Sequence, residues 1–353
     1  IGPSAVAVNG ATIVMVGAGR GVNGAQGVIY STNNWQTVAL AEVPDVVTIL
    51  KYAVYAQGKF IAVGIKGAVI QSTDGAHWTK RLSNTASDLN GVAYGNGIWV
   101  AVGAGGRIIS STDGNSFNLQ NSGTEVDLSA VTFGDGRFVA VGKDGIAMRS
   151  TDGAAWSIVG SDPPADLVGV AYGNGRYTAL AANGSGQTSS DGTSWQAFAA
   201  PLSSVSKLVF GQGYFIALAS TPSGDQNVQY VSATGTNNWV AIRFDDLANQ
   251  NYYVSALSAS GGKIWMAARN SILWSLEPVE GNYLTTSMTA SGQLKMKFNT
   301  PLGGTYDLLK ASSFTTGGWE KVGSFTPPDQ IEFTLPDLSG QSGFFQVRQL
   351  QTQ

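Results

Sequence analysis

The sequence predicts an all-β protein: a seven-bladed β-propeller over residues 1–278, followed by a small C-terminal β-sandwich-like module over residues 279–353. Two observations predict the propeller. Short motifs recur about every 40 residues, and each repeat contains four apolar, strand-like runs separated by turns rich in Gly, Asn and Asp. A third observation predicts the second module, because the repeat stops near residue 278 while strand-like segments continue.

The clearest repeat is a Ser-Thr-Asp-Gly turn followed by an aromatic residue. It reads "STDGAHW" at 72–78, "STDGNSF" at 111–117, "STDGAAW" at 150–156 and "SSDGTSW" at 189–195, so its aspartates are 39 residues apart. An aspartate in a turn accepts backbone N–H bonds, and the glycine after it tolerates positive φ. We therefore expect a structural role for the turn residues Asp74, Trp78, Asp113, Phe117, Asp152, Trp156, Asp191 and Trp195.

A second motif is an apolar run of strand length that follows a turn. It occurs seven times: "ATIVMVG" at 11, "GKFIAVG" at 58, "GIWVAVG" at 97, "GRFVAVG" at 136, "GRYTALA" at 175, "GYFIALA" at 213 and "GKIWMAA" at 262. Continuous apolar runs are typical of strands buried on both faces, as between stacked blades. A third motif, such as "LNGVAYGNG", precedes it and supplies the first strand and a turn. Seven copies of the second motif predict seven blades.

The C-terminal segment lacks the repeated motifs and has a different sequence pattern. "QLKMKFN", "TYDLLKASSF", "QIEFTLPD" and "FFQVRQL" alternate polar and apolar residues and are joined by "PLGG", "TTGG" and "TPPD" turns. The segment resembles the C-terminal modules of many secreted bacterial proteins, which end in an aromatic-aromatic-x-Val-Arg strand. The resemblance implies docking or attachment.

The Ser-Thr-Asp-Gly turns resemble the Asp-box, or BNR repeat, of sialidase-like propellers of the secreted bacterial type, over about residues 4–275. The resemblance implies that these turns join the third and fourth strands of each blade, on the face opposite the usual binding site. For a sialidase it also implies three arginines that clamp a carboxylate, a Tyr–Glu nucleophile pair and an acid Asp. The arginine-bearing F-R-I-P motif of that family is missing here, and those propellers usually have six blades.

Composition narrows the possible functions. The chain has 20 basic and 23 acidic residues, which argues against a nucleic-acid partner. It has no cysteine and one histidine, His77, which stands in a turn. We therefore expect no metal, no cofactor and no catalytic residue. No apolar run reaches membrane-helix length, so no membrane insertion is expected. Low charge, absent cysteine and a start without Met favour a mature, secreted or surface protein of a bacterium.

The loops that follow each second strand or precede each first strand are the expected binding surface. Asp88, Asp127 and Asp166 recur at a 39-residue spacing there, which favours loop-capping hydrogen bonds. A binding site must break the repeat symmetry, so non-repeated loop residues are better candidates, together with an arginine at the end of one such loop. The ligand-binding candidates are Arg20, Lys66, Arg107, Lys143, Asp144, Asp225, Asp245, Asp246, Tyr252 and Tyr253.

The function predicted from these observations is a non-catalytic extracellular binding or scaffold propeller that presents its loops to a glycan or protein partner. Two alternatives stay open. One is a glycoside hydrolase or polysaccharide lyase of sialidase-like architecture, which needs a pair of carboxylates across a site. The other is an assembly-factor propeller that binds a membrane-protein partner, a class that resembles this chain only at the level of generic repeats.

Overall fold

A computed structural model of the chain describes residues 2–10, 12–18, 27–32, 37–44, 49–159, 165–211, 213–220, 228–236, 239–243, 254–260, 263–268, 273–276, 283–288, 294–299, 305–311, 320–325, 331–334 and 344–350. Beyond residue 260 it describes the backbone only. The described residues are almost entirely β-structure. Their helical segments are three-residue 3-10 turns at Ile65–Gly67, Ala104–Gly106 and Lys143–Gly145.

Five consecutive four-stranded antiparallel sheets occupy residues 50–243. The first two consist of β5 (Leu50–Ala56), β6 (Lys59–Gly64), β7 (Val69–Ser72) and β8 (Thr79–Lys80), then β9 (Leu89–Gly95), β10 (Ile98–Gly103), β11 (Arg107–Ser111) and β12 (Asn118–Gln120). The next two consist of β13 (Leu128–Gly134), β14 (Arg137–Gly142), β15 (Ala147–Ser150) and β16 (Ser157–Ile158), then β17 (Leu167–Gly173), β18 (Arg176–Ala181), β19 (Ser185–Ser189) and β20 (Gln196–Ala199). The fifth consists of β21 (Ser203–Gly211), β22 (Tyr214–Ser220), β23 (Val228–Ser232) and β24 (Val240–Arg243).

A sheet flanks this series on each side. The preceding one is four-stranded, with β1 (Gly2–Asn9), β2 (Thr12–Ala18), β3 (Val28–Thr32) and β4 (Thr37–Leu40). The following one is three-stranded, with β25 (Val254–Ser260), β26 (Lys263–Ala268) and β27 (Leu273–Leu276). The first strand of each sheet packs against the first strand of the next, and β25 packs against β1. These strands therefore surround a common axis, and the domain is a β-propeller.

The structure establishes a propeller but does not by itself establish the predicted number of seven blades. The consecutive four-stranded series between residues 50 and 243 contains five sheets, and the count of seven requires both flanking sheets as blades. The sheet that would be the last blade has three described strands, and the sequence shows no obvious fourth strand-like run after "SILWS". The all-β propeller is thus confirmed, while seven blades stays a prediction.

The C-terminal segment forms two three-stranded sheets. One contains β28 (Tyr283–Met288), β29 (Leu294–Asn299) and β32 (Ile331–Thr334), and the other contains β30 (Thr305–Ala311), β31 (Glu320–Phe325) and β33 (Phe344–Leu350). The predicted strands are therefore present in the backbone. Their packing as a β-sandwich depends on side chains outside the described residues, so it stays a prediction.

The up-and-down order of each sheet creates two faces. We call the "loop face" the end that carries the connections between second and third strands and the entry to each first strand. We call the "turn face" the opposite end, which carries the first hairpin and the Ser-Thr-Asp-Gly turns. The prediction that these turns join the third and fourth strands is confirmed, because Asp74 lies between β7 and β8 and Asp113 between β11 and β12.

Neighbouring sheets interlock through aromatic rings and glycines. A Cβ added to Gly95 would lie 2.0 Å from Cγ of Phe133, and one added to Gly134 would lie 2.1 Å from Cγ of Tyr172. The ring of each following sheet thus packs flat against the glycine of the sheet before it. Phe133 and Tyr172 therefore pack between neighbouring sheets and are not free to clamp a ligand.

Candidate functional site

The Ser-Thr-Asp-Gly turns on the turn face are closed hydrogen-bond units. Oδ1 of Asp113 accepts bonds from the backbone N–H of Asn115 (2.8 Å) and Ser116 (3.3 Å) and from Oγ of Ser111 (3.0 Å). The Ser111 hydroxyl oxygen accepts a further bond from the N–H of Gly114 at 2.9 Å. The bonds from Asn115 and Ser111 hold the pKa of Asp113 well below its usual range.

The other turns repeat this arrangement. In the fourth copy, the backbone N–H groups of Ser194 and Thr193, with the Ser189 hydroxyl, lower the pKa of Asp191 to about 2. The aromatic residue also bonds to the turn, since Nε1 of Trp78 donates to the Gly75 carbonyl at 2.8 Å. The carboxylates are thus engaged within their own turns, which supports the structural role expected for the four aspartates, and the indole bonds support it for Trp78 and Trp156. The roles of Phe117 and Trp195 stay predictions.

We expect Asp113→Ala to reduce the free energy of unfolding by about 1 kcal/mol, because two backbone N–H groups lose their acceptor. Thermal unfolding of the wild type and the variant measures this. An aspartate with a lowered pKa stabilises the fold above its ordinary pKa and loses that contribution on acidification. For Asp191 the loss should fall between pH 4 and about 2. Reduced ligand binding by Asp113→Ala at unchanged stability would contradict the structural role.

The single histidine belongs to one of these turns. Nδ1 of His77 lies 2.7 Å from Oδ2 of Asp74, and its side chain is 69% exposed. The hydrogen bond with Asp74 raises the pKa of His77. The interpretation of His77 as an exposed turn residue is therefore supported, and the turn face offers no reason to assign it chemistry.

Three of the binding candidates lie on the loop face at the tips of the 3-10 turns. Lys66 (φ 55°), Gly105 (φ 65°) and Asp144 (φ 53°) occupy equivalent positions in three successive sheets, and all three are exposed. Lys143 is exposed beside Asp144. The same left-handed backbone position thus presents a cation, no side chain or an anion, depending on the blade.

The recurring aspartates fasten these tips from the next sheet along the chain. Oδ1 of Asp88 accepts from the N–H of Lys66 at 2.9 Å, and Oδ1 of Asp127 accepts from the N–H of Gly105 at 2.8 Å. Asp166 accepts from the N–H of the next tip at 3.0 Å. Capping by these aspartates is confirmed. Each cap also joins two sheets, which the repeat spacing does not reveal.

Two of these aspartates also form ion pairs. Nζ of Lys51 lies 3.0 Å from Oδ2 of Asp88, and Nζ of Lys143 lies 2.7 Å from Oδ2 of Asp127. The hydrogen bond from Lys143, with that from Gly105, lowers the pKa of Asp127. Lys143 is therefore partly engaged within its own blade. The Lys66 ammonium forms no hydrogen bond or ion pair with a described residue, although its charge contributes to the lowered pKa of Asp88.

Arg107 lies at the start of β11, beside the tip at Gly105. Its Nε atom is buried without a hydrogen-bond partner among the described residues. The side chain lines a surface groove with Leu119, Gln120 and Glu125. Leu119 is 49% exposed, so the groove combines a cation with an apolar surface.

The propeller axis contains a cavity of about 200 Å³. Its wall includes Val6, Tyr52, Val131, Val170 and Leu208, which come from five different first strands. A cation reaches this space, because Nζ of Lys207 lies 5.6 Å from the ring centroid of Tyr52. Burial lowers the pKa of Lys207 to about 8 and raises the pKa of Tyr52.

Lys207 and Tyr52 are absent from the sequence-based candidates, although the repeat contains a signal for both. In the aligned segments "LKYAVYAQG", "LNGVAYGNG", "LSAVTFGDG", "LVGVAYGNG" and "VSKLVFGQG", the third position is small in all copies except those two. The same symmetry argument that selected loop residues would have selected them.

The remaining candidates, Arg20, Asp225, Asp245, Asp246, Tyr252 and Tyr253, lie outside the described residues. Among the residues that are described, no three metal-binding side chains of the His, Cys, Asp or Glu type form a group. Within the same part of the chain, no helix is long and apolar enough to span a membrane.

Comparison with known proteins supports the fold class. No family model matches the chain, and no curated protein matches it. Among solved structures, the chain is similar to the WD40 β-propeller domain of Doa1, with a TM-score of 0.60 and 11% identity over 79% of this chain and 93% of that one. It is also similar to a chain of the mitotic checkpoint complex, with a TM-score of 0.61 and 11% identity over 78% of this chain and 87% of that one.

A third similarity is weaker: YCF48 bound to D1 peptide gives a TM-score of 0.48 and 14% identity over 68% of this chain and 85% of that one. At these identities the comparisons establish the fold alone. The chain is a β-propeller, and its resemblance to the Asp-box type is not matched by any family model.

Proposed function

We propose that the chain is a non-catalytic binding propeller that recognises a protein partner with its loop face. The observation that carries the proposal is the tip position of the 3-10 turns. Its backbone is held in one conformation by the aspartate of the next sheet, while its exposed side chain changes from Lys66 to Gly105 to Asp144. A rigid scaffold with variable, exposed tips is the arrangement that propellers and other loop-bearing folds use for recognition.

The backbone conformation strengthens this argument. A left-handed φ favours glycine, and a lysine pays about 1 kcal/mol to adopt it. Gly105 is therefore the residue that stability alone would select, and Lys66 is not. The Lys66 ammonium forms no hydrogen bond or ion pair with a described residue, although its charge helps to lower the pKa of Asp88. A contact of this ammonium with a partner would offset the cost of the strained backbone.

The test uses a photo-crosslinking amino acid placed at single positions of the full chain in its native cells. We expect adducts of higher mass from positions 66 and 143, and we expect Lys66→Glu combined with Lys143→Glu to remove the adduct formed from position 107. Lys80 is an exposed lysine on β8, an outer strand, and serves as the matched control for position and for charge reversal. Equal adducts from position 80, or none from positions 66, 107 and 143, would refute the proposal.

The finer architecture belongs to the same proposal. We infer a seven-bladed ring, supported by the contact of β25 with β1 and by seven copies of the second-strand motif. We also infer that the blades are of the Asp-box type, which the hydrogen-bonded turns support. We infer a C-terminal sandwich because the strands β28 to β33 form two three-stranded sheets. The sheets between residues 50 and 243 would then be five of the seven blades.

We further propose an extracellular location, with a glycan as the alternative ligand. The support is the low charge and the heavy use of Gly, Ser, Thr and Asn. A glycan array, run beside glycosidase and lyase substrates, separates the alternatives. Array binding that Lys66→Glu abolishes would replace the protein partner by a glycan, and turnover of any substrate would replace the binding function by catalysis.

A further inference from the structure

One layer of the propeller axis differs from all the others in its side chains. Seven first-strand residues occupy the same ladder position, because each pairs with the second-strand residue that lies 11 positions later in the chain: Ala5, Tyr52, Gly91, Ala130, Gly169, Lys207 and Ala256. Five of them are Gly or Ala. The two large side chains, Tyr52 and Lys207, are the pair in cation–π contact.

This contact crosses the interior of the ring. β5 packs against β1 and β9, whereas β21 packs against β17 and β25, so the two strands are not neighbours. The Lys207 ammonium therefore reaches Tyr52 through the space that the five small residues leave open. Tyr52 and Leu208, the residue after Lys207, both line the axial cavity. Lys207 is not itself a lining residue, so its ammonium lies beside the cavity, next to Tyr52.

The positive charge of Lys207 is not neutralised by the wall. The strands β1, β5, β9, β13, β17, β21 and β25 contain two lysines and no Asp or Glu. The other lysine, Lys51, is paired with Asp88 and Asn90. Lys207 has no carboxylate partner among the described residues, and the Tyr52 phenol stays neutral because burial raises its pKa. Lys207 is half-buried, and a charge held in a poorly solvated layer without a carboxylate is costly, so it is a candidate for a site that a ligand completes.

The shape and polarity of the cavity select the ligand. One ammonium matches one negative charge, and the cavity wall is mostly polar with a smaller apolar part, which matches a carboxylate that carries a short aliphatic group. A phosphate would carry more charge and require more donors than this layer offers. We propose that the axial cavity binds the carboxylate of a small aliphatic acid or of a peptide that ends in an aliphatic residue, with the carboxylate beside Lys207 and Tyr52 and the short aliphatic part against the smaller apolar portion of the wall.

We expect an anion to approach this layer from the loop face, where two of the three recurring aspartates, Asp88 and Asp127 but not Asp166, form ion pairs among the described residues. Asp88 and Asp127 stand at the entry to their first strands, and each is paired with a lysine at 3.0 Å and 2.7 Å respectively. These carboxylates therefore repel an incoming anion less than free ones would. The site does not depend on the protein partner proposed above, since the tips of the loop face and the axial layer consist of different residues.

The experiment titrates the full chain at pH 7 with butyrate and with butyramide, its uncharged counterpart, in chloride of matched ionic strength. Saturation-transfer NMR and calorimetry detect the binding. A pentapeptide ending in valine, with a free or an amidated C-terminus, forms the second arm. We expect at least one of the two carboxylates to bind saturably, its uncharged counterpart to bind at least tenfold more weakly, and Lys207→Met to weaken the carboxylate at least tenfold. Lys80→Met should bind as the wild type does.

The outcomes separate the sources of the carboxylate. Binding of butyrate alone assigns the site to a free acid, and binding of the peptide alone assigns it to a chain terminus. The inference is overturned if neither carboxylate binds, if the uncharged counterparts bind equally well, or if Lys207→Met binds as the wild type does. Thermal unfolding establishes that the variant is folded. Loss of crosslinking from the loop face with retained butyrate binding would refute the proposed function and leave this site in place.

Discussion

Gly106→Ala should reduce the free energy of unfolding by at least about 3 kcal/mol, a large loss for a single added methyl group. A Cβ at Gly106 would lie 2.0 Å from the Thr124 carbonyl oxygen and 3.0 Å from Oγ of Ser122. That carbonyl is itself held in place, because the Ser122 hydroxyl donates to it at 3.0 Å. Gly106 also has a φ of 66°, so the added methyl group meets both a clash and an unfavourable backbone.

The adjacent residue provides the matched control. Gly105 has a similar φ of 65°, yet a Cβ there would meet no atom within 4 Å. The equivalent residue in the next sheet is Asp144, at φ 53°. We therefore expect Gly105→Asp to change stability by less than about 1 kcal/mol. Urea unfolding of both variants measures the difference, and equal losses would show that φ alone, rather than the carbonyl contact, controls this loop.

Lys207→Met should stabilise the protein at neutral pH, by about 2 kcal/mol after allowance for water in the axial cavity. The wild type must keep an ammonium in a poorly solvated layer, which lowers the pKa of Lys207 from 10.5 to about 8. Methionine keeps an unbranched apolar stem of similar length and removes the charge. Denaturant unfolding in a buffer without carboxylates measures the gain.

The gain should depend on pH in a defined direction. A lysine with a lowered pKa in the folded state destabilises the fold fully below pH 8, and the penalty disappears as pH rises to the unfolded value of 10.5. The stability difference between Lys207→Met and the wild type should therefore be largest at pH 7 and shrink toward zero near pH 10.5. A difference that is constant across this range would show that lost packing or new packing, and not desolvation, causes the effect.

The sequence by itself determined the repeating unit of this protein. The spacing of the Ser-Thr-Asp-Gly turns and the apolar runs predicts four short strands per unit, and both the strand order and the place of Asp113 between the third and fourth strands agree. The capping role of Asp88, Asp127 and Asp166 also followed from their spacing. These features depend on hydrogen bonds and side-chain alternation within a few residues, which a repeat displays several times over.

Only the tertiary structure shows which residues of different repeats are in contact and that a cavity lies at the axis. The donor to Asp127 is Gly105 of the preceding sheet, and the aromatic contact of Lys207 is Tyr52, on a strand across the ring. Neither pairing follows from local pattern, because closing the ring brings distant residues into one layer at the axis. Small residues in this layer leave a cavity at the axis, and Lys207, which has no carboxylate partner among the described residues, becomes a candidate site beside it.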